Sequence, residues 1–526
     1  MASAAADQYY LSLKIAPRRG EIRTSDGSIM ATNRVAYLVY AEPQKIKDNK
    51  IFVDNVAHIL NLDKELISQR ISDTRLVWSL LKHKVDEETY QKLQEAHLSG
   101  LGFEKESVRY YPEGSMAAQL LGFVGQDETG EDKGYFGVEG YYDRALRGAA
   151  GSLLQEKDAN GLPILLGVQK RISAENGQDL ELYLDRTVQF IVENKLKQGI
   201  DKYGAKAGSV VVMDQKTGGI LGMTAFPSYD QREFSQYSQD VFSNPLVSYT
   251  YEPGSTFKSL VMSSGLNERV IEPSTKFNED GPIPINEYLI RTWNNEYHGE
   301  LTMTQVLEKS SNPGMVFVAR QLGKDKLFSY IQKFGFGEKT NIDLQEEVSP
   351  EIRPLSRWKE IDLATASFGQ GIAVTPIQMV KAVATLANGG ILMEPHIVKK
   401  IINTDGKVNE IHPRKIAEIL RPATSRMITE MMVSAVDKGE AKWAKPPGYR
   451  IAGKTGTAQI PVAGHYDDKK TIASFVGFAP ADNPKFVMLV TLREPSSSQW
   501  GSETAAPLFF SIAKDLFAYY GISPKD

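Results

Sequence analysis

The chain has 526 residues, enough for two or three domains, and its 41% hydrophobic content is that of an ordinary globular protein. A formal net charge of −4, with no basic run carrying interleaved aromatics, gives no support for nucleic-acid binding. With no cysteine, and seven histidines that form no H-E-x-x-H or other close pair, disulfides and thiolate metal sites are excluded and neither a metal nor a cofactor is expected.

The start, Met1 to Asp7, lacks the charged and apolar regions of a secretion signal, and no apolar run approaches the roughly 18–20 residues that cross a bilayer. Residues 9–22 alternate loosely as a strand through Pro17-Arg18-Arg19-Gly20-Glu21-Ile22, and Ser25-Asp26-Gly27 marks a turn. A second strand is expected at 35–41, and the Leu-, Lys- and Glu-rich stretch 53–99 predicts helices. Glycines at 134–140 and 148–151 read as turns around a short helix at 141–146. The polar stretch 173–179 places a boundary between an extended mixed α/β domain, 1–178, and a second domain, 179–526.

After it come a strand at 180–184 and a helix at 188–199 that Asp185-Arg186 can cap. Residues 207–225 form a hairpin turning at Lys216-Thr217-Gly218, then 255–266 and 301–322 read as helices, and 362–387 as loop then helix. A strand-like 449–460, strands at 472–478 and 485–492, and an amphipathic helix at 504–520 complete the chain. Strand pairs from both ends with helices between them predict one α+β domain, an antiparallel sheet with flanking helices.

The chemistry gathers at Tyr251-Glu252-Pro253-Gly254-Ser255-Thr256-Phe257-Lys258. A Pro-Gly turn delivers Ser255 to a helical pattern that sets Lys258 three residues later on the same face. A serine hydroxyl is a poor nucleophile until a neighbouring base takes its proton, and a lysine serves when burial lowers its pKa. Four S-x-x-K matches occur, at Ser79, Ser255, Ser356 and Ser511, against roughly two expected by chance, so the spacing alone says little. Ser255 differs in being followed by Ser310-Ser311-Asn312 and then Lys454-Thr455-Gly456-Thr457, the motif order of penicillin-recognising serine enzymes. The earlier Lys216-Thr217-Gly218 reads as a hairpin turn. By contrast, Lys454 lies on a strand beside hydroxyls, where a peptide carboxylate can bind while the substrate backbone pairs alongside.

These residues resemble a class B penicillin-binding protein over nearly the whole chain. Arg19-Gly20-Glu21-Ile22 with Asp26-Gly27, and Gly137-Val138-Glu139 with Asp143, resemble the N-terminal pedestal motifs of that family. Ser255 to Lys258, Ser310 to Asn312, Phe368-Gly369-Gln370-Gly371 and Lys454 to Thr457 resemble its transpeptidase motifs, and Tyr-Glu-Pro-Gly before the serine is most like the division-specific, FtsI-like branch. The resemblance implies a peptidoglycan D,D-transpeptidase of septal wall synthesis and a β-lactam target. Ser255 would be acylated by a D-Ala-D-Ala stem peptide, with Lys258 as proton acceptor. Ser310 and Asn312 would relay protons and hold the substrate amide, with Ser311 and Gly456 beside the substrate. Lys454, Thr455 and Thr457 would contact the terminal carboxylate, and the backbone N–H groups of Ser255 and Thr457 would form the oxyanion hole. The family further implies a dimerisation or partner role for the pedestal, docking to a SEDS-type membrane glycosyltransferase and other divisome proteins, and a single N-terminal membrane helix at the cytoplasmic membrane with the catalytic domain facing outward. That helix is not in this sequence, so a shortened or engineered chain is expected. A second departure is Thr24-Ser25, where the family's pedestal motif continues Asp-Arg. A serine β-lactamase shares the three motifs, but no glutamate between Asn312 and Lys454 stands in the Leu-Asn context of class A enzymes. A D,D-carboxypeptidase and a catalytically silent scaffold or β-lactam sensor are the remaining readings.

Overall fold

The computed structural model describes residues 10–156, 169–462 and 465–525. Two compact units divide the chain, Met1–Ile22 with Ile29–Pro112 and Arg144–Asp179 in the first, and Arg23–Ser28 with Glu113–Asp143 and Leu180–Asp526 in the second. Segments of the two units alternate along the sequence. Side chains explain why Glu113–Asp143 joins the second unit. Phe123 stacks on Phe234 at 4.2 Å and meets Phe242 at 4.9 Å. Phe136 N donates to Gln345 Oε1 at 3.0 Å, and Tyr142 OH donates to Asp343 at 2.9 Å.

In the first unit the long strand Ile29–Ala41 pairs antiparallel with Leu101–Tyr110, from Thr32 opposite Tyr110 to Ala41 opposite Leu101, and also with Ser79–Val85. Helices Asn49–Leu60, Lys64–Arg70 and Glu87–Glu95 each start on an aspartate, Asp48, Asp63 or Asp86, whose carboxylate accepts from free N–H groups of the first turn. Their apolar faces meet the strands in a core that includes Val39, Phe52, Val56, Ile67, Leu81 and Leu93. Residues 53–99 were expected to be helical throughout, yet they contain the strand Ser79–Val85. Pairing with the long strand buries Leu81 and Val85, which outweighs local helix preference. A separate three-stranded antiparallel sheet joins Tyr10–Ile15, Gly151–Glu156 and Gln169–Ile172. The Arg19–Ile22 motif fastens this unit: Gly20 N donates to Leu146 O at 2.8 Å, and Glu21 accepts from Arg18 at 2.7 Å and Thr32 at 2.9 Å.

The second unit is built on a five-stranded antiparallel sheet in the order Ile220–Phe226, Ala207–Met213, Phe486–Arg493, His465–Ala479, Ala452–Val462. The central strand reads F-V-M-L-V-T-L-R, a run buried on both faces because helices cover both. Phe486, Met488, Val490 and Leu492 join Val210, Val212 and Phe475 in a core shared with the helices Arg186–Tyr203 and Ala505–Tyr519. Alternation turns Val487 and Leu489 to the opposite face, where Pro376–Ala387 packs. The α+β architecture thus matches the expectation. Two helices differ from it. The expected helix 301–322 is broken into Met303–Glu308 and Asn312–Leu322, and 362–387 is two helices, Glu360–Ser367 and Pro376–Ala387, separated by the Phe368–Gly371 loop. Thr24 is buried, and its hydroxyl donates to Asp26. Among the described residues no helix is long and apolar enough to cross a membrane.

Phe475 is the keystone of the core beneath the edge strand, 1% exposed and in contact with Phe509 at 4.6 Å and Phe510 at 5.1 Å. Phe475→Ala should destabilise the second unit by about 3–5 kcal/mol, read as a lowered midpoint in chemical denaturation. A loss under about 1 kcal/mol would contradict this packing.

Candidate active site

The residues 251–258 are fastened before the serine is reached. Tyr251 exchanges both backbone hydrogen bonds with Val374 at 2.9 Å, Gly254 N donates to Gly369 O at 3.1 Å, and Gly371 N donates to Glu252 Oε1 at 3.1 Å. The Phe368–Gly371 loop therefore acts as a brace. Gly254 takes φ +55°, and a Cβ there would stand 3.1 Å from Thr457 O, so glycine is needed on both counts. Ser255 lies on a 3₁₀ turn, Gly254–Phe257, that runs into the helix Lys258–Asn267. In a 3₁₀ turn residues i and i+3 eclipse, which sets Ser255 and Lys258 in line more closely than a continuous α-helix does.

Lys258 is 0% exposed, and its Nζ donates to Ser310 O at 2.6 Å, Asn312 Oδ1 at 2.7 Å and Ser310 Oγ at 3.2 Å. The helix break supplies these acceptors. Met303–Glu308 starts on a Thr302/Gln305 capping box, and Ser310 then takes a left-handed φ of +54°, rare for a residue with a side chain. Asn312 opens the next helix and is fixed by a second bond, Nδ2 to Arg291 O at 2.9 Å. Burial holds the Lys258 ammonium well below its ordinary pKa, and repulsion from Lys454 adds to this, while Glu440 and Glu279 oppose it.

Lys454 lies on Ala452–Val462, the edge strand of the sheet, which is 4% exposed at this lysine. Its Nζ donates to Thr455 Oγ1 at 3.1 Å and Thr455 O at 3.3 Å, and burial lowers its pKa to about 8 despite the attraction of Glu440. The strand presses on the serine turn: a Cβ at Gly456 would meet Ser474 Oγ at 2.5 Å and Thr256 Cγ2 at 2.8 Å. Thr457 Oγ1 accepts from Gly501 N at 3.0 Å, which ties the strand to the approach of the closing helix.

These elements line one groove with about 230 Å³ of water-sized space, formed by Ser255, Ser310, Asn312, Thr455, Gly456 and Thr457. Of the sequence-predicted residues, the two lysines sit just behind this wall and Ser311 faces elsewhere. The Ser311 hydroxyl donates to buried Glu279 and accepts from Gly314 N at 2.8 Å, so it caps the helix in place of lining the groove. The other S-x-x-K matches lie apart: Ser79 is on a strand, Ser356 on a surface 3₁₀ turn, and Ser511 on the closing helix. Lys216-Thr217-Gly218 is the expected hairpin turn, closed by Gly218 N to Asp214 O at 2.8 Å. The sequence reading missed Glu440, Trp293 and Trp500, which also line the groove, the two tryptophan rings meeting edge to face at 5.0 Å. No motif marks them; the sequence signal is no more than Glu440 lying between Asn312 and Lys454.

The penicillin binding protein transpeptidase domain family matches residues 208–516, and the penicillin-binding protein dimerisation domain family matches residues 14–182. Stage V sporulation protein D of Bacillus subtilis is 35% identical over 100% of this chain and 82% of its own length. The peptidoglycan D,D-transpeptidase FtsI of Escherichia coli K12 is 31% identical over 97% of this chain and 85% of its own. Penicillin binding protein 3 of Mycobacterium tuberculosis, solved in complex with aztreonam, superposes with a TM-score of 0.76 at 26% identity, covering 98% of each chain. With both family domains matched in order, full-length likeness to such relatives, and the three motifs gathered on one groove, the chain belongs to the class B penicillin-binding proteins.

Proposed function

We propose that this chain is a serine D,D-transpeptidase that cross-links peptidoglycan stem peptides at the division septum and is acylated by β-lactams. The observation that carries the reading is the state of Lys258, a fully buried amine without an ion-pair partner among the described residues. Two of its bonds go to carbonyl-type oxygens, Ser310 O and Asn312 Oδ1, which only accept. A neutral amine satisfies both with its two N–H groups and keeps its lone pair for a hydroxyl proton. That is the requirement for a base beside Ser255.

The reaction follows. Lys258 takes the Ser255 proton as Oγ attacks the penultimate D-Ala carbonyl, and backbone N–H groups of Ser255 and Thr457 receive the developing oxyanion, a class of donor worth roughly 3–4 kcal/mol each. The C–N bond breaks, a proton passed through the Ser310 hydroxyl reaches the leaving nitrogen, and D-Ala departs. Asn312 holds the stem amide, and Lys454 with Thr455 and Thr457 holds the terminal carboxylate. The amine of a neighbouring stem then attacks the ester, and the serine regains its proton. β-Lactams enter the same step, but their opened ring stays attached, so no leaving group clears the groove. The family likeness supports an outward-facing position at the cytoplasmic membrane and association with a SEDS-type glycosyltransferase and other divisome proteins.

Intact-protein mass after exposure to benzylpenicillin should show one adduct that persists for many minutes and is absent in Ser255→Ala. Rapid loss of the adduct with drug turnover would point to a hydrolase, and no adduct in the unaltered chain would favour a silent scaffold. Lys258→Ala should lower the acylation rate constant by about 10²–10⁴-fold. The rate should rise with pH as Lys258 loses its proton, at a pH well under the ordinary lysine range, and fall again near pH 8 as Lys454 loses the charge that attracts the carboxylate. A rate still climbing at pH 10 would remove Lys454 from that role.

A further inference from the structure

Glu440 follows the helix Pro422–Lys438 and lines the groove with Ser255, Ser310 and Thr455. Its Oε1 is buried and meets no donor. A carboxylate oxygen stripped of water and left unpaired is costly, so the site holds it there for a compensating interaction. Two cations supply one. Both Lys258 and Lys454 feel the attraction of Glu440, and the helix that leads into Glu440 packs on the helix Lys258–Asn267 and on the edge strand that carries Lys454.

Two further cations, Lys438 and Lys442, stand two residues from Glu440 on either side in the chain. Pro422–Lys438 packs against Met303–Glu308, Lys258–Asn267, Pro376–Ala387, the edge strand and the 3₁₀ turn Lys442–Ala444, which brings Lys442. From these come Glu308, held by Ser434 and by Lys438 at 3.7 Å; Lys258; Lys381, whose surrounding charges are Glu347, Glu394 and Glu338; and Lys454. Nearby, Asp437 pairs with Lys445. The other carboxylate felt by Lys258 is Glu279, already bonded by Ser311 and by His298 N at 3.2 Å.

We infer that Glu440 is a positioning residue, the shared counter-charge that keeps Lys454 cationic for the substrate carboxylate and limits the mutual repulsion of the two groove lysines. It acts through them and need not touch substrate. The sign is fixed: an opposite charge favours the protonated lysine, so removing it lowers the titration midpoint of both. In a bell-shaped rate profile the rising limb belongs to Lys258 and the falling limb to Lys454, so both limbs move to lower pH together. This assignment of limbs rests on the acyl-enzyme reading above; the lysine midpoints do not.

The test compares the full chain with Glu440→Gln and Glu440→Asp. Proton–carbon NMR of protein labelled at lysine Cε, with Lys454 assigned by loss of its signal in Lys454→Arg, follows the titration directly. Acylation by benzylpenicillin from pH 5 to 10 follows its consequence. The expected result is a Lys454 midpoint lowered by about one pH unit in the glutamine variant, both rate limbs displaced by a similar amount, and near-normal values in the aspartate variant. A midpoint that stays in place, or rises, overturns the proposal, as does a profile that only loses height, the mark of a packing role. Should Glu440→Gln not fold, Glu440→Thr removes the charge with less bulk and is read by the same midpoint. A lowered midpoint in a chain that never acylates would sustain the charge coupling and overturn the transpeptidase reading instead.

Discussion

Everything at this site depends on keeping an amine dry. Burying an ammonium costs several kcal/mol even after relaxation, and ordinary proteins recover that by pairing it with a carboxylate. Lys258 is enclosed with a carbonyl, an amide oxygen and a hydroxyl instead. Dipolar acceptors satisfy the N–H groups without stabilising the charge as a carboxylate does, so the neutral form gains. Two separate segments must meet to build that enclosure: the serine helix and the break after Glu308. The left-handed Ser310 is strained for this purpose, since its carbonyl becomes the 2.6 Å acceptor of the lysine.

The brace around the serine turn has the same logic in the backbone. The Phe368–Gly371 loop and the edge strand approach the turn so closely that glycines are required where they meet it, at Gly254 and Gly456. Close backbone approach replaces side-chain contacts, and the serine is held by hydrogen bonds that do not depend on rotamers. An edge strand also leaves half of its N–H and C=O groups unpaired. In most proteins that is an aggregation hazard; in the proposed reaction the open edge beside the groove is where an extended peptide would pair.

The motifs that meet at the groove were legible in the sequence because each is local: a turn, a three-residue spacing, and two short motifs. The antiparallel sheet and closing helix were legible for the same reason, since alternation and helical periodicity survive in the strands 472–478 and 485–492 and the helix 504–520. What escaped was non-local. Ser79–Val85 looked helical because nothing near it in sequence reveals the long strand that pairs with it. The continuous helix expected across 301–322 missed the break at Ser310, because a left-handed serine leaves no mark of its own. Ser311 sits within the motif yet serves as a helix cap, a role decided by Pro313 and by Glu279, more than thirty residues away.

The two groove lysines pose a final constraint. The proposed reaction requires one to be neutral to accept a proton while the other stays charged to hold a carboxylate, although both are almost fully buried. Depth alone would push both towards neutrality. Their surroundings differ in kind: Lys258 is satisfied by two oxygens that only accept, while Lys454 has the weaker bonds to Thr455, at 3.1 and 3.3 Å, and lies on the strand that faces incoming substrate. Each charge discourages the other, so the arrangement favours one proton on the pair, and the one placed for carboxylate contact is Lys454, which keeps its proton up to about pH 8. In the proposed reaction an arriving carboxylate would strengthen that choice, because it would stabilise Lys454 as a cation and leave Lys258 free as a base. In the proposed reaction, substrate binding and base activation would then be coupled through the same pair of amines.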